Sequence, residues 1–81
     1  MIVKIHLFAA AREIVGQEVV DLIIPDNSNV GQLKLSLAQQ YPKMKNLISK
    51  SSISVQRQYA SDDSELFDGA EVGIIPPVSG G

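Results

Sequence analysis

The sequence closes on Glu71-Val72-Gly73-Ile74-Ile75-Pro76-Pro77-Val78-Ser79-Gly80-Gly81. A run with strand composition meets two prolines, and the last two residues carry no side chain. Proline has no backbone N–H to give a ladder, so a strand over Glu71 to Ile75 must stop at Pro76. The Pro-Pro pair fixes φ and carries the chain off the sheet in an extended course. From Pro76 to Gly81 the reach is at most ~20 Å, enough to enter a pocket in another protein. A glycine pair passes a channel too narrow for any Cβ. The expectation is a folded domain over 1–75 and an extended working tail over 76–81.

Upstream, the hydrophobic period changes along the chain. Ile2 to Phe8 alternates as a strand, with Val3, Ile5 and Leu7 on one face and Lys4 and His6 on the other. Ala9 to Val15 is a short helix former, with Gly16 as its C-cap. Glu18 to Ile24 reads as a second strand that brings Val20, Leu22 and Ile24 together. Asn29 and Gln32 make a capping pair for the main helix, whose buried stripe is Val30, Leu33, Leu37 and Tyr41. Pro42 ends that helix. Ile53 to Tyr59 reads as a third strand, and Ser61 to Gly69 as a polar connection holding Leu66 and Phe67. One helical stripe and four strands are most economically buried as an α+β fold, one helix across one face of a mixed sheet. This is the layout of a β-grasp, or ubiquitin-like, roll.

Composition removes several function classes. A chain of 81 residues with 44% apolar content and only four aromatics is one domain with an aliphatic core. The net charge of −2 and the lack of a basic stripe make nucleic acid and anionic membrane poor partners. No apolar run approaches a membrane span, and no signal-peptide pattern opens the chain, so a cytoplasmic location is expected. There is no cysteine, hence no disulfide, thiolate metal site or cysteine nucleophile. His6 is the only histidine, which excludes a triad or a multi-histidine metal site, and no metal ligands are assigned. Asp62, Asp63, Glu65, Asp68 and Glu71 lack the spacing of a calcium loop and read as turn and solubility residues. Lys43, Lys45 and Lys50 read as a solvated face, and Arg12-Glu13 as a surface or capping pair.

The chemistry left is that of the terminus. An α-carboxyl group with a pKa of about 3.5 is ionised at neutral pH and resists nucleophiles. Its use as an acyl group requires activation, most simply as an acyl-adenylate. Attack by sulfur then yields a thiocarboxylate on a flexible arm. That sulfur comes from outside, because the chain has no cysteine.

Phe8-Ala9 with Arg12-Glu13, and Gly69-x-Glu71-Val72 leading into the Pro-Pro-Val-Ser-Gly-Gly ending, resemble the MoaD family of sulfur carriers, the small subunits of molybdopterin synthase. The resemblance covers the whole chain, and the six-residue ending is its specific part. It implies adenylation of Gly81 by a MoeB-like, ubiquitin-activating-like adenylyltransferase that uses ATP, and a thiocarboxylate made with a sulfur donor enzyme. Sulfur then passes to precursor Z (cyclic pyranopterin monophosphate) to form molybdopterin. It also implies entry of Pro76, Pro77, Val78, Ser79 and Gly80 into a MoaE-like large subunit, in a heterotetramer. The chain would be the sulfurtransferase's carrier subunit, with no permanently bound cofactor and no catalytic side chain of its own. Two positions depart from the family's usual residues: Ala70, where an acidic residue is frequent, and Gln56, where asparagine is. A carrier for thiamine or tRNA thiolation, a ubiquitin-like modifier of lysines, and a plain β-grasp binding module are the alternatives.

Parity also marks a docking surface. Phe8 shares the parity of Lys4 and His6, and Ile75 that of Glu71 and Gly73, so both are expected to point outward. In a β-grasp roll the first and last strands are neighbours, which joins Phe8 and Ile75 into a partner interface. Tyr59, at a strand end, extends it.

Overall fold

Alternation along the opening residues decides the centre of the sheet. The computed structural model describes residues 1–77; the expectations for Val78, Ser79, Gly80 and Gly81 lie outside the described residues. The elements in chain order are β1 (Ile2–Leu7), α1 (Ala9–Val15), β2 (Val19–Ile23) and α2 (Val30–Gln40). A single 3-10 turn (Pro42–Met44) then leads to α3 (Lys45–Lys50), β3 (Ser52–Val55), β4 (Gln58–Tyr59) and β5 (Glu71–Ile75). Val3, Ile5 and Leu7 are buried along β1, as are Val20, Leu22 and Ile24 in and after β2. The sheet order is β2-β1-β5-β3-β4. β1 pairs antiparallel with β2 and parallel with β5, and β5 pairs antiparallel with β3. With helices packed across one face, this is the β-grasp roll.

The main helix is fixed at its start by the chain before it and by the loop that precedes β5. Asn29 Oδ1 accepts from Gln32 N and Gln32 Oε1 accepts from Asn29 N, each at 2.9 Å, a complete capping box. The remaining unpaired amides do not face solvent unsatisfied. Val30 N donates to Ser64 O (3.0 Å) and Gly31 N to Asp62 O (2.9 Å). Lys34 Nζ adds an ion pair with Asp62 Oδ1 at 2.8 Å. The acidic connection is thus a structural brace. Its other end holds β1, where Asp68 Oδ1 accepts from Ile2 N (2.7 Å) and Gly69 N donates to Ile2 O (2.7 Å). Leu66 from this loop is buried and Phe67 is not.

Four expectations are corrected. The first strand stops at Leu7, because Phe8 is the N-cap of α1. Tyr41 is not part of the helical stripe but the C-cap that follows it, its N–H donating to Leu37 O. Residues 45–50 form a helix that the lysines concealed: Met44 and Ile48, four apart, are buried under α2. Ile53 to Tyr59 is not one strand but a hairpin. Gln56 and Arg57 both take positive φ, +52° and +67°, and reverse the chain between β3 and β4. This is the conformation for which hairpins select Asn-Gly. Asparagine suits the left-handed region better than glutamine does. Gln56 compensates by closing the hairpin onto β5: its N–H donates to Glu71 O (2.9 Å) and its Oε1 accepts from Glu71 N (2.6 Å). Ala70 is fully buried, where a small apolar side chain fits.

The core runs between the sheet and α2 with α3. Val30, Leu33 and Leu37 face Val3, Ile5, Val72 and Ile74, all fully buried. Among the described residues no helix is long and apolar enough to cross a membrane. Leu33→Ala is expected to cost about 2–5 kcal/mol and Asn29→Ala about 1 kcal/mol, measured by urea unfolding. Equal costs for the two would mean that the stripe does not dominate the stability of the roll.

Candidate functional site

The site begins where two parallel strands end side by side. Leu7 of β1 is level with Ile74 of β5, so the next residues are neighbours: Phe8 leaves the sheet while Ile75 ends β5 opposite Ser52. Phe8 is extended (φ −118°, ψ 151°), and Ala9 then turns into the left-handed region at φ +49°. The reversal sends α1 back over the core and leaves the Phe8 ring on the outer face of the sheet, 49% exposed.

Gly73 lies beside the ring and makes its closest approach to Ser54. A Cβ at position 73 would stand 3.4 Å from Phe8 Cε2 and 2.5 Å from Ser54 Oγ. The glycine inside β5 is buried by its neighbours, not by the core, and marks a close approach of side chains to backbone. Ser54 is level with Gly73 on one side and Tyr59 on the other, so all three share the outer face. Phe8, Ser54, Arg57, Tyr59 and Ile75 together line a shallow depression of about 220 Å³.

Phe8, Tyr59 and Ile75 are therefore brought together, and Pro76 and Pro77 continue from their midst. Tyr59 is 78% exposed, while Ile75 is half-buried. On the far side of Phe8 a second depression is lined by His6, Arg57, Glu71 and Gly73. His6 Nε2 lies 3.2 Å from Glu71 Oε1, a hydrogen bond to a carboxylate. Arg12 pairs with Glu18 at 3.4 Å and not with Glu13, the expected partner. That pair is exposed on both sides and contributes little to stability. Among the described residues no three carboxylate or histidine side chains converge. What the face offers is apolar: half-exposed aromatic and aliphatic side chains around the departing chain. Gly73, Ser54 and Arg57 had not been singled out. An isolated glycine within a strand pattern was the available signal for the first.

Residues 5–81 match the model of the ThiS family. Among curated proteins, the molybdopterin synthase sulfur carrier subunit of Dictyostelium discoideum is 35% identical, the alignment covering 96% of this chain and 94% of the relative. The solution structure of small archaeal modifier protein 1 from Methanosarcina acetivorans is 30% identical with a TM-score of 0.85, covering 99% of this chain and 96% of that one. A chain in the protein–protein complex of subunits 1 and 2 of the molybdopterin-converting factor from Helicobacter pylori 26695 shares the fold. Its TM-score is 0.71 at 20% identity, and both chains are fully covered.

Because Phe8 rests on the sheet and not in the core, Phe8→Ala is expected to lower the melting temperature far less than Leu33→Ala. Gly73→Ala should displace the Ser54 hydroxyl and leave the Phe8 ring in van der Waals contact, seen by NMR as a changed Ser54 environment, with the core resonances of Val72 and Ile74 unmoved. A collapse of the fold in Phe8→Ala would make the residue part of the core.

Proposed function

The chain belongs to the ThiS family, and from that premise we propose that it is a sulfur carrier of molybdenum cofactor biosynthesis, the small subunit of a molybdopterin synthase. The observation that carries this reading is the near full-length likeness to a curated sulfur carrier subunit of that enzyme. The Pro-Pro-Val-Ser-Gly-Gly ending supports it, as does an apolar face around the point where that ending departs.

In this reading the folded domain over 1–75 is a handle and residues 76–81 are the arm. The carboxylate of Gly81 is unreactive until an adenylyltransferase joins it to AMP from ATP, releasing pyrophosphate. A sulfide equivalent delivered by a donor enzyme then displaces AMP and leaves a thiocarboxylate. A thioacid is a stronger acid and a better nucleophile than the carboxylic acid it replaces, so its sulfur attacks an electrophilic carbon of the pterin precursor, precursor Z, forming a C–S bond as a C–O bond at that carbon breaks and its oxygen leaves protonated. Water takes up the acyl group and returns the carboxylate. The chain contributes the reacting terminus and no catalytic side chain, and the large subunit supplies the pocket. The complex of subunits 1 and 2 known for the Helicobacter pylori factor supports a large-subunit partner of this kind. All these steps belong to the cytoplasm.

A second reading is favoured by one observation, the 30% identity to a small archaeal modifier protein. It shares the activation step and differs in the acceptor. A lysine amine in place of sulfur would give an isopeptide bond.

Deleting Gly81 or leaving an uncleaved C-terminal tag should abolish molybdopterin formation with the large subunit while the melting temperature stays unchanged. Phe8→Ala and Ile75→Ala should each weaken binding to the large subunit and to the adenylyltransferase by about 1–3 kcal/mol, read by titration calorimetry. Full sulfur transfer from a tagged, uncleaved chain would refute the proposal.

A further inference from the structure

We infer that Arg57 is a specificity determinant of docking: its guanidinium binds a carboxylate on the surface of the large subunit, next to where that subunit receives Phe8. The inference rests on the reading of the outer face as the docking surface, and it concerns a residue that neither the terminal chemistry nor the apolar patch employs.

Three observations carry it. Arg57 occupies the second position of the β3–β4 turn at φ +67°, where glycine would be free of strain. An arginine kept there at a cost in backbone energy is an outlier beside the site, the kind that points to function. Second, its side chain lines both depressions flanking Phe8, the one toward Tyr59 and Ile75 and the one toward His6 and Glu71. Third, it is uncompensated. Two neighbouring groups do have partners: His6 Nε2 lies 3.2 Å from Glu71 Oε1, and Arg12 pairs with Glu18 at 3.4 Å. Among the described residues the guanidinium of Arg57 donates no hydrogen bond and forms no ion pair.

In a chain whose net charge is −2, the face that offers Phe8 thus presents a free positive group at its edge. A guanidinium presents paired donors in a plane, the geometry that a carboxylate accepts with both oxygens. A charge at the rim of an apolar anchor sets register and partner choice more than gross affinity. Phe8 and Ile75 could fit many apolar hollows. Arg57 selects among them the one bordered by Asp or Glu.

The test uses the full chain and the large subunit of molybdopterin synthase from the same organism, titrated at low and high salt. Arg57→Gln keeps a polar side chain, though a shorter one, on the same strained backbone and removes the charge. It should bind about tenfold more weakly at low salt, with a shallower salt dependence and an unchanged melting temperature. Arg57→Lys should keep part of the affinity. Arg57→Gly relieves the turn, so its melting temperature should rise while its binding falls, opposite directions that a structural role does not produce. Wild-type affinity in Arg57→Gln would overturn the inference and leave the docking reading intact. So would weaker binding accompanied by an equal loss of stability. Failure of the unaltered chain to bind the large subunit would overturn both.

Discussion

Parallel pairing of β1 with β5 is the constraint on which the rest depends. The first and last strands of the chain lie side by side at the centre of the sheet, Lys4 level with Glu71 and Leu7 level with Ile74. Parallel neighbours cannot be joined by a tight turn, so every other element serves as the crossover between them. β2 and β3 take the outer flanks, β4 extends one edge, and α2 closes the inner face over Val3, Ile5, Val72 and Ile74. The brace from the loop before β5 to the start of α2 and to Ile2 fixes where β5 enters. Pro76 therefore departs from the most constrained strand of the molecule and not from a loose edge. A carrier needs that arrangement: a terminus is delivered to a partner only when its point of departure is fixed.

Backbone strain collects at the turns between elements. The described residues contain four non-glycine positions with positive φ: Ala9 follows Phe8 at the end of β1, while Gln56 and Arg57 form the β3–β4 turn beside Glu71 at the start of β5. The fourth, Asn27, is of a type that tolerates the left-handed region. Each of the other three costs roughly 1 kcal/mol, and the flanking strand pairs hold them in place. Ala9 turns the chain so that Phe8 is stranded on the outer face. Gln56 and Arg57 turn the hairpin so that Tyr59 comes level with Ser54, one strand from Gly73. The apolar patch and its positive edge are products of these turns.

Much of this was legible in the sequence, for physical reasons that differ by element. Period-two alternation in Ile2 to Leu7 and the Asn29–Gln32 capping pair are local signals, and both elements form, β1 one residue shorter than read and α2 ending before Tyr41. The terminal strand was legible because Pro76 stops it. The outward parity of Phe8 followed from Lys4 and His6, and its exposure agrees. The hairpin was concealed because Gln56-Arg57 is not turn chemistry; the pair is held in its conformation by Glu71, fifteen residues on in the chain. Helix α3 was concealed because lysines at 43, 45 and 50 outweighed Met44 and Ile48 in a pattern too short to show a period. Gly73 and Ser54 were not found as site residues, since a close approach between strands is a tertiary fact. What remained beyond composition and period is the set of contacts between residues far apart in sequence.

The central claim is that the terminus of this chain is chemically converted while the domain behind it stays as it is. Intact-mass spectrometry of the untagged chain, purified from its own cells grown with molybdate, tests it most directly. The expected result is a population heavier by the difference between one sulfur and one oxygen, with the change confined to the C-terminal peptide and lost when the adenylyltransferase gene is deleted. A chain whose terminus is a plain carboxylate in every molecule, or one found only in isopeptide linkage to lysines, would contradict it.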